Sequence, residues 1–369
     1  VSTLTDIILG LRAGKTSHLT PNYLEVSLVG SCNFACVQCH QLHHITAEQQ
    51  RDPRAGPKQL QFDKLLSILE QAKALGVETI EFCGRGEPSL FKELPTVIRR
   101  TKALGFRSAL MTNGSNVSDE LLAALRESAY DEVAISLYGL DEESFASIAQ
   151  PRKSQSLAQI FSNVDRLLED APQTRLTVTL LLQKPWLRRL ELLHDLFGKY
   201  PKVNFELVVV HPYLDKSVDS GFDRSAFARE LSFEYDELAR RQGEDMMHPS
   251  LRRFVEKIRT NPETNTILTT YRRVPCYAGH WAMFLCDDGT IRPCSNSSWI
   301  MGSAYELTLK QIWKGAEYDS FRATARNHMI ETGTPIRDSY CDSCGWAWLQ
   351  QRLHNSVQDS SLPSTGFAF

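Results

Sequence analysis

Three cysteines on one short loop, Cys32-Asn-Phe-Ala-Cys36-Val-Gln-Cys39, are the residues of this chain best suited to chemistry. Thiolates at this spacing can wrap three irons of a cubane [4Fe–4S] cluster and leave the fourth iron without a protein ligand. An open position on a metal is where reaction, rather than scaffolding, is expected. A competing arrangement adds His40 and holds zinc through three thiolates and an imidazole, but adjacent Cys39 and His40 strain a tetrahedral site. A second set reads Cys276-x12-Gly289-x4-Cys294, then Cys341-x2-Cys344. Within it, Asp287-Asp288-Gly289-Thr290 is a hairpin signal between the apolar arms Met283–Cys286 and Ile291, which would bring Cys276 near Cys294. By geometry alone, four thiolates at paired spacing suit a zinc ribbon or an iron–sulfur cluster equally.

Positioning such a loop falls to a strand–helix alternation from about residue 23 to 210. Strands are expected at 23–29, 79–83, 107–111, 132–137, 175–182 and 203–210. Helices are expected at 62–75, 94–104, 119–127, 142–149, 157–168 and 186–199. Six βα-type units imply an α/β fold, either a sheet or a partial (β/α)6 barrel, with chemistry at the carboxyl ends of its strands. The cysteine loop follows the first strand at such an end. The division reads as an N-terminal extension at 1–22, the partial barrel at 23–215 and a helical bridge at 216–272. The bridge carries helical patches at 227–241 and 251–258. A cysteine- and tryptophan-bearing module follows at 273–350, where a metal can supply what a small core cannot. A tail spans 351–369, rich in Ser, Pro and Gly from Asp359 and expected to be mobile.

Composition excludes several classes. Of 369 residues, 42% are hydrophobic and 23% charged, with a formal net charge of −3, so nothing points to nucleic acid or an anionic membrane as partner. No apolar run reaches the length of a spanning helix, and residues 1–30 lack a signal peptide's features. Nine clustered cysteines read as metal binding or catalysis in a reducing, cytoplasmic setting rather than as a disulfide scaffold.

The CxxxCxxC spacing resembles the signature of the radical S-adenosylmethionine (SAM) superfamily. That resemblance implies a [4Fe–4S] cluster whose open iron chelates SAM, giving on reduction a 5′-deoxyadenosyl radical that abstracts a substrate hydrogen. Further motifs follow in the family's order. Cys83-Gly84-Arg85-Gly86-Glu87-Pro88 is similar to the GGEP motif with one residue altered. Gly84 and Gly86 would let backbone carbonyls approach the SAM ammonium, and Glu87 would orient it. Met111-Thr112-Asn113-Gly114 and Ser136-Leu137-Tyr138-Gly139 look like the third and fourth strand ends, where Asn113 and Ser136 reach the ribose or carboxylate of SAM. Arg152 would pair with that carboxylate, and Leu182, with Leu181 and Gln183, would flank the adenine. Gln38 stands where the family often has an aromatic residue. The later cysteines resemble the SPASM/twitch auxiliary domain. With Cys276, Cys294, Cys341 and Cys344 available, the shorter twitch form fits, holding a second, auxiliary [4Fe–4S] cluster. Trp281, Trp313, Trp346 and Trp348 would pack its small core.

Cys83 and Cys286 are left over. Buried cysteine commonly packs as a small hydrophobe; the sharper reading is a thiol that returns a hydrogen atom to the substrate. Cys286 is the favoured donor, on a hairpin arm facing the barrel mouth, and could also replace Cys276 as a ligand. His40, His211 and Tyr213 lie near the active end, with His211 a candidate base and Glu206 and Arg85 further candidates. The resemblance implies a radical SAM oxidoreductase or isomerase acting on a small polyhydroxylated molecule, a carbohydrate or aminocyclitol of natural-product biosynthesis. An external electron donor such as flavodoxin or ferredoxin is implied. The alternatives are a peptide maturase, for which about twenty residues before the first strand leave no room for a leader-binding domain, and a zinc-stabilised binding module.

Overall fold

Strand β1, Tyr23–Val26, has all four side chains covered, as expected of a strand buried on both faces. It is shorter than the alternation predicts: beyond Val26, Val29 makes only an isolated bridge to Gln59. The structure is a computed structural model that describes residues 4–13, 19–37, 39, 58–152, 155–182, 187–209, 224–260, 274–332, 336, 341, 344 and 346–358. Gln38, His40, Gln183, His211, Tyr213 and the tail from Asp359 lie outside the described residues.

The chain divides into two compact units that interleave along the sequence. The first comprises Val1–Gly30, Pro57–Ala109 and Ile267–Phe369. It contains helix α1 (Leu4–Arg12), β1, helix α2 (Phe62–Leu75), β2 (Thr79–Phe82) and helix α3 (Leu94–Ala103). Strand β3 (Arg107–Thr112) carries the chain into the second unit, Ser31–Gly56 and Leu110–Thr266. There follow α4 (Asp119–Glu127), β4 (Glu132–Leu137), α5 (Glu142–Ala149), α6 (Leu157–Asp170), β5 (Arg175–Leu182), α7 (Leu190–Lys199) and β6 (Asn204–Val209). Helices α8 (Arg224–Gln242) and α9 (Pro249–Thr260) occupy the expected bridge. The first unit then resumes with β7 (Ala282–Leu285), β8 (Thr290–Arg292), β9 (Gly302–Ser303), α10 (Leu309–Trp313), α11 (Ala316–Ala325), α12 (His328–Thr332) and α13 (Ala347–Gln358).

In the first unit β1 lies parallel to β2 on one side and to β7 on the other. The predicted hairpin forms: β8 runs antiparallel to β7, and β9 to β8. The cysteine module therefore continues the sheet that starts the chain, a pairing no local pattern announces. Gly289 turns the hairpin at φ +86°, with the Tyr305 ring where a Cβ would project. Apolar positions 346, 349, 353 and 357 carry α13 through Gln358, well into the stretch assigned to the tail. Leu349 and Leu353 pack with Ile7, Ile8 and Leu11 of α1. Trp281 joins the same core, with Trp346 4.7 Å and Tyr23 5.5 Å from its ring. Trp281, Trp313 and Trp346 thus pack, as expected.

In the second unit β4, β5 and β6 are parallel, with Glu132 opposite Arg175 and Thr177 opposite Asn204. Helix starts are set by side chains that satisfy free backbone N–H groups. Ser118 accepts from Leu121 N at α4, Ser156 from Gln159 N at α6, and Asp141 and Ser144 form a capping box at α5. Among the described residues no helix is long and apolar enough to cross a membrane.

Candidate cluster and substrate sites

The cysteine loop belongs to the second unit, where the end of α5 holds it by backbone pairing. Ala35 N donates to Ala149 O at 3.1 Å, Val37 N to Ile148 O at 3.0 Å and Arg152 N to Asn33 O at 2.9 Å. Phe34 anchors the turn apolarly, its ring edge-on to Phe145 at 5.6 Å. Asn113 Nδ2 donates to Asn33 Oδ1 at 2.8 Å and reaches Cys32 Sγ at 4.0 Å, while its Oδ1 accepts from the Ser115 hydroxyl at 2.6 Å. Here Asn113 positions the loop, a role its place at a strand end did not disclose. Cys36 is buried, and burial, then the neighbouring Cys39 and Cys32 thiols, push its own thiol well up. The Tyr138 hydroxyl, hydrogen-bonded to Cys36, pulls the other way. Ser136 bonds that same Tyr138, so it supports the loop through the phenol. Arg152 has an exposed side chain beside the loop, and Leu182 is covered at the end of β5. Glu206 is exposed on β6.

In the first unit, Gly84 at φ +115° has the Ser27 Cβ 2.7 Å from where its own Cβ would stand, so only glycine fits this approach. Gly86 beside it is half-buried. The Ser27 hydroxyl accepts from Arg85 N at 3.0 Å, and Glu87 caps the following turn by accepting from Ser89 N at 3.1 Å. Arg85, considered above for contact with the reacting substrate, instead forms a buried ion pair with Asp287 at 3.1 Å. Asp287 also accepts from Lys58 N at 3.2 Å and packs where a Gly30 Cβ would stand. The hairpin residue read as turn chemistry is thus a strut under the glycine motif.

Four thiols of this unit converge. Burial, then Cys344, Cys276 and Cys341, push the Cys294 thiol well up, so these sulfurs lie close enough to repel one another's charge. A cationic iron core relieves that repulsion. Among the described residues, three sulfurs of either set do not fall within 4.8 Å of one another. Buried thiols that repel one another in this way are the ligand type an iron–sulfur group takes. Both sets therefore fit the iron–sulfur groups their patterns imply.

The two spare cysteines differ. Cys286 is fully buried, its thiol pushed up to about 11 by burial, and it packs inside the hairpin rather than at an accessible mouth. That burial weighs against Cys286 as the donor. Cys83 is half-buried and donates to Glu25 Oε1 at 2.8 Å; burial, then Glu25 and Glu81, push its thiol well up too. Glu25 and Glu81 sit side by side in the β1–β2 register. Burial, then Glu81, push the Glu25 carboxyl up to about 8. The unfolded chain releases this proton first, so stability is expected to fall as pH rises from about 4.5 to 8. Glu25→Gln should remove that slope and raise stability at pH 8 by roughly 1–3 kcal/mol, seen as a higher urea midpoint at pH 8 than wild type.

Comparison with known proteins yields two family matches: the radical SAM superfamily over residues 26–211, half of the chain, and an iron–sulfur cluster-binding domain, SPASM, over residues 276–345. GTP 3′,8-cyclase of Chlorobaculum tepidum is 32% identical over 179 residues, 48% of this chain and 49% of that protein. The S-adenosylmethionine-dependent nucleotide dehydratase of Lacinutrix mariniflava is 33% identical over 140 residues, 37% of this chain and 28% of that one. The chain spans less than half the length of these curated relatives. Among solved structures, Streptococcus suis SuiB bound to precursor peptide SuiA superposes with a TM-score of 0.61 at 16% identity, over 85% of this chain and 70% of that one. Native anSMEcpe with bound AdoMet gives a TM-score of 0.58 at 15% identity, covering 92% of both chains. At such identities the likeness is one of fold.

Proposed function

This chain belongs to the radical SAM superfamily and carries a SPASM iron–sulfur domain, and we propose that it epimerises a small polyhydroxylated molecule, a carbohydrate or aminocyclitol, with Cys83 as hydrogen donor. The family's cofactors are a [4Fe–4S] cluster and SAM, joined by an auxiliary iron–sulfur cluster; bound together, the first two supply the 5′-deoxyadenosyl radical that takes hydrogen from substrate carbon. In this reading Cys32, Cys36 and Cys39 hold the first cluster, and Cys276, Cys294, Cys341 and Cys344 hold the auxiliary one. Gly84, Gly86, Glu87 and Arg152 are assigned to SAM. Asn113 and Ser136 are assigned to holding the cluster loop.

The observation that carries the reaction type is Cys83: a half-buried residue outside both cluster sets, immediately before the Gly84–Glu87 motif, its thiol hydrogen-bonded to a carboxylate. Its S–H bond breaks as a hydrogen atom passes to the substrate radical and a new C–H bond forms on the opposite face. The sulfur radical left behind takes one electron from an external donor of the flavodoxin or ferredoxin kind, and one proton, to regenerate the thiol. His211 remains the candidate base for the alternative, dehydrogenation, in which a hydroxyl proton leaves instead.

In deuterated water, anaerobic turnover is expected to place solvent deuterium on carbon. Cys83→Ala should lose product by roughly 100-fold or more while still releasing 5′-deoxyadenosine; Cys286→Ala should turn over normally. An oxidised product without deuterium, or an active Cys83→Ala enzyme, would refute the donor assignment. The likeness to peptide-bound SuiB supports a second reading, a peptide substrate, which the same assay tests with peptides in place of sugars.

A further inference from the structure

We propose that Gln350 donates a side-chain N–H to the auxiliary iron–sulfur cluster and so helps to set that cluster's reduction potential. This rests on the assignment of Cys276, Cys294, Cys341 and Cys344 to the cluster. Gln350 is the fourth residue of α13, six positions after Cys344. It is 1% exposed, a burial that a glutamine tolerates only when its polar atoms are used. Its Oε1 accepts from Tyr277 N at 2.8 Å, on the residue that follows Cys276. A backbone N–H offers only a donor, so this bond fixes which end of the planar carboxamide is oxygen. The opposite end, Nε2, is buried too and has no hydrogen-bond partner.

A buried amide donor without an acceptor is costly, and its presence calls for a group that completes it. The neighbouring protein atoms are engaged elsewhere. The Tyr277 hydroxyl is bonded to His354 Nδ1 at 3.1 Å, within the core that Leu349 and Leu353 share with α1. The backbone at the first ligand is occupied as well: Cys276 N donates to Arg326 O at 3.1 Å, and Tyr277 N to Gln350 itself. A cluster held by Cys276 and Cys344 brings to this part of the fold what the protein lacks, sulfide acceptors carrying negative charge. Hydrogen bonds to cluster sulfur are one of the terms that set its potential, and they favour the reduced, more negative form. Gln350 therefore acts as a positioning residue: its oxygen fastens the backbone beside Cys276, and its nitrogen makes the cluster easier to reduce.

The test uses the full chain, reconstituted anaerobically, with Cys32, Cys36 and Cys39 replaced by alanine so that every cluster signal comes from the auxiliary site. With 15N in the glutamine side-chain amides and the cluster reduced, pulsed electron paramagnetic resonance is expected to show a 15N coupling, and a coupling to an exchangeable deuteron in deuterated water. Gln350→Met should lose both and make reduction less favourable by about tenfold, a fall of about 59 mV for one electron, with about four irons per chain retained. Gln350→Glu keeps an oxygen for Tyr277 N and should lose the same 15N coupling, so the signature remains readable if Gln350→Met does not assemble the cluster. A four-iron cluster without the 15N coupling, or a potential unmoved in Gln350→Met, overturns the donor and leaves Nε2 to a water molecule. A chain that takes up no iron at these four cysteines overturns the cluster assignment, and the donor with it.

Discussion

Replacing Cys36 by alanine is expected to lower 5′-deoxyadenosine release by roughly 1000-fold or more, because without a complete thiolate set the open iron has no fixed place from which to bind SAM. Cys36 is the sharpest choice of the three. It is buried, its loop is pinned at Ala35 and Val37 to the end of α5, and its sulfur faces Cys32 and Cys39. Reconstituted iron should drop by about four per chain and leave the auxiliary cluster's share in place. Tyr138→Phe removes a single hydrogen bond to sulfur, worth about 1 kcal/mol, so its effect should be near fivefold. The contrast between the two variants separates a ligand from a residue that steadies one.

The second large effect is expected at Asp287. Alanine there leaves the Arg85 guanidinium buried without its carboxylate, a loss of roughly 3–5 kcal/mol. Both side chains are almost wholly covered, at 5% and 3% exposure, so water cannot replace the partner. Burial pushes the Asp287 carboxyl up while Arg85 pulls it down, which is why the pair contributes little by itself and costs much when half of it is removed. The apolar double variant Arg85→Met/Asp287→Leu should recover most of the stability in thermal unfolding. Because Arg85 lies between Gly84 and Gly86, Asp287→Ala should also weaken SAM binding, and the double variant should restore stability more fully than SAM affinity. Equal recovery of both would make the pair purely structural.

Much of this architecture was legible in the sequence because it rests on local signals. Period-two and helical runs located β1 to β6 and the helices between them, and Gly289 marked a real turn at positive φ, whereas α1 and α10 to α13 gave no such signal. The two cysteine sets and the Gly84–Glu87 motif were visible by spacing. What stayed hidden depends on pairing across long separations. That β7 lies parallel to β1 follows from no local pattern, and neither do the surroundings it gives Arg85 and Cys286. Arg85 finds Asp287 from 202 positions away, and Cys286 is sealed by the hairpin it stands on. Glu25 and Glu81 looked like the polar half of two alternating strands, ordinary until their registers put them opposite each other. Asn33, Asn113 and Tyr138 sat in recognised motifs, yet their work of holding the cysteine loop shows only in the hydrogen bonds among them.

The central claim, that the Cys32–Cys36–Cys39 loop generates a radical from SAM, is tested most directly by anaerobic reconstitution and single-turnover reduction with SAM. The account predicts a brown protein with about eight irons per chain, matching sulfide and stoichiometric 5′-deoxyadenosine, falling to about four irons and no 5′-deoxyadenosine when the three cysteines are alanine. A colourless protein that takes up zinc alone, or 5′-deoxyadenosine release that survives loss of the three cysteines, would contradict it.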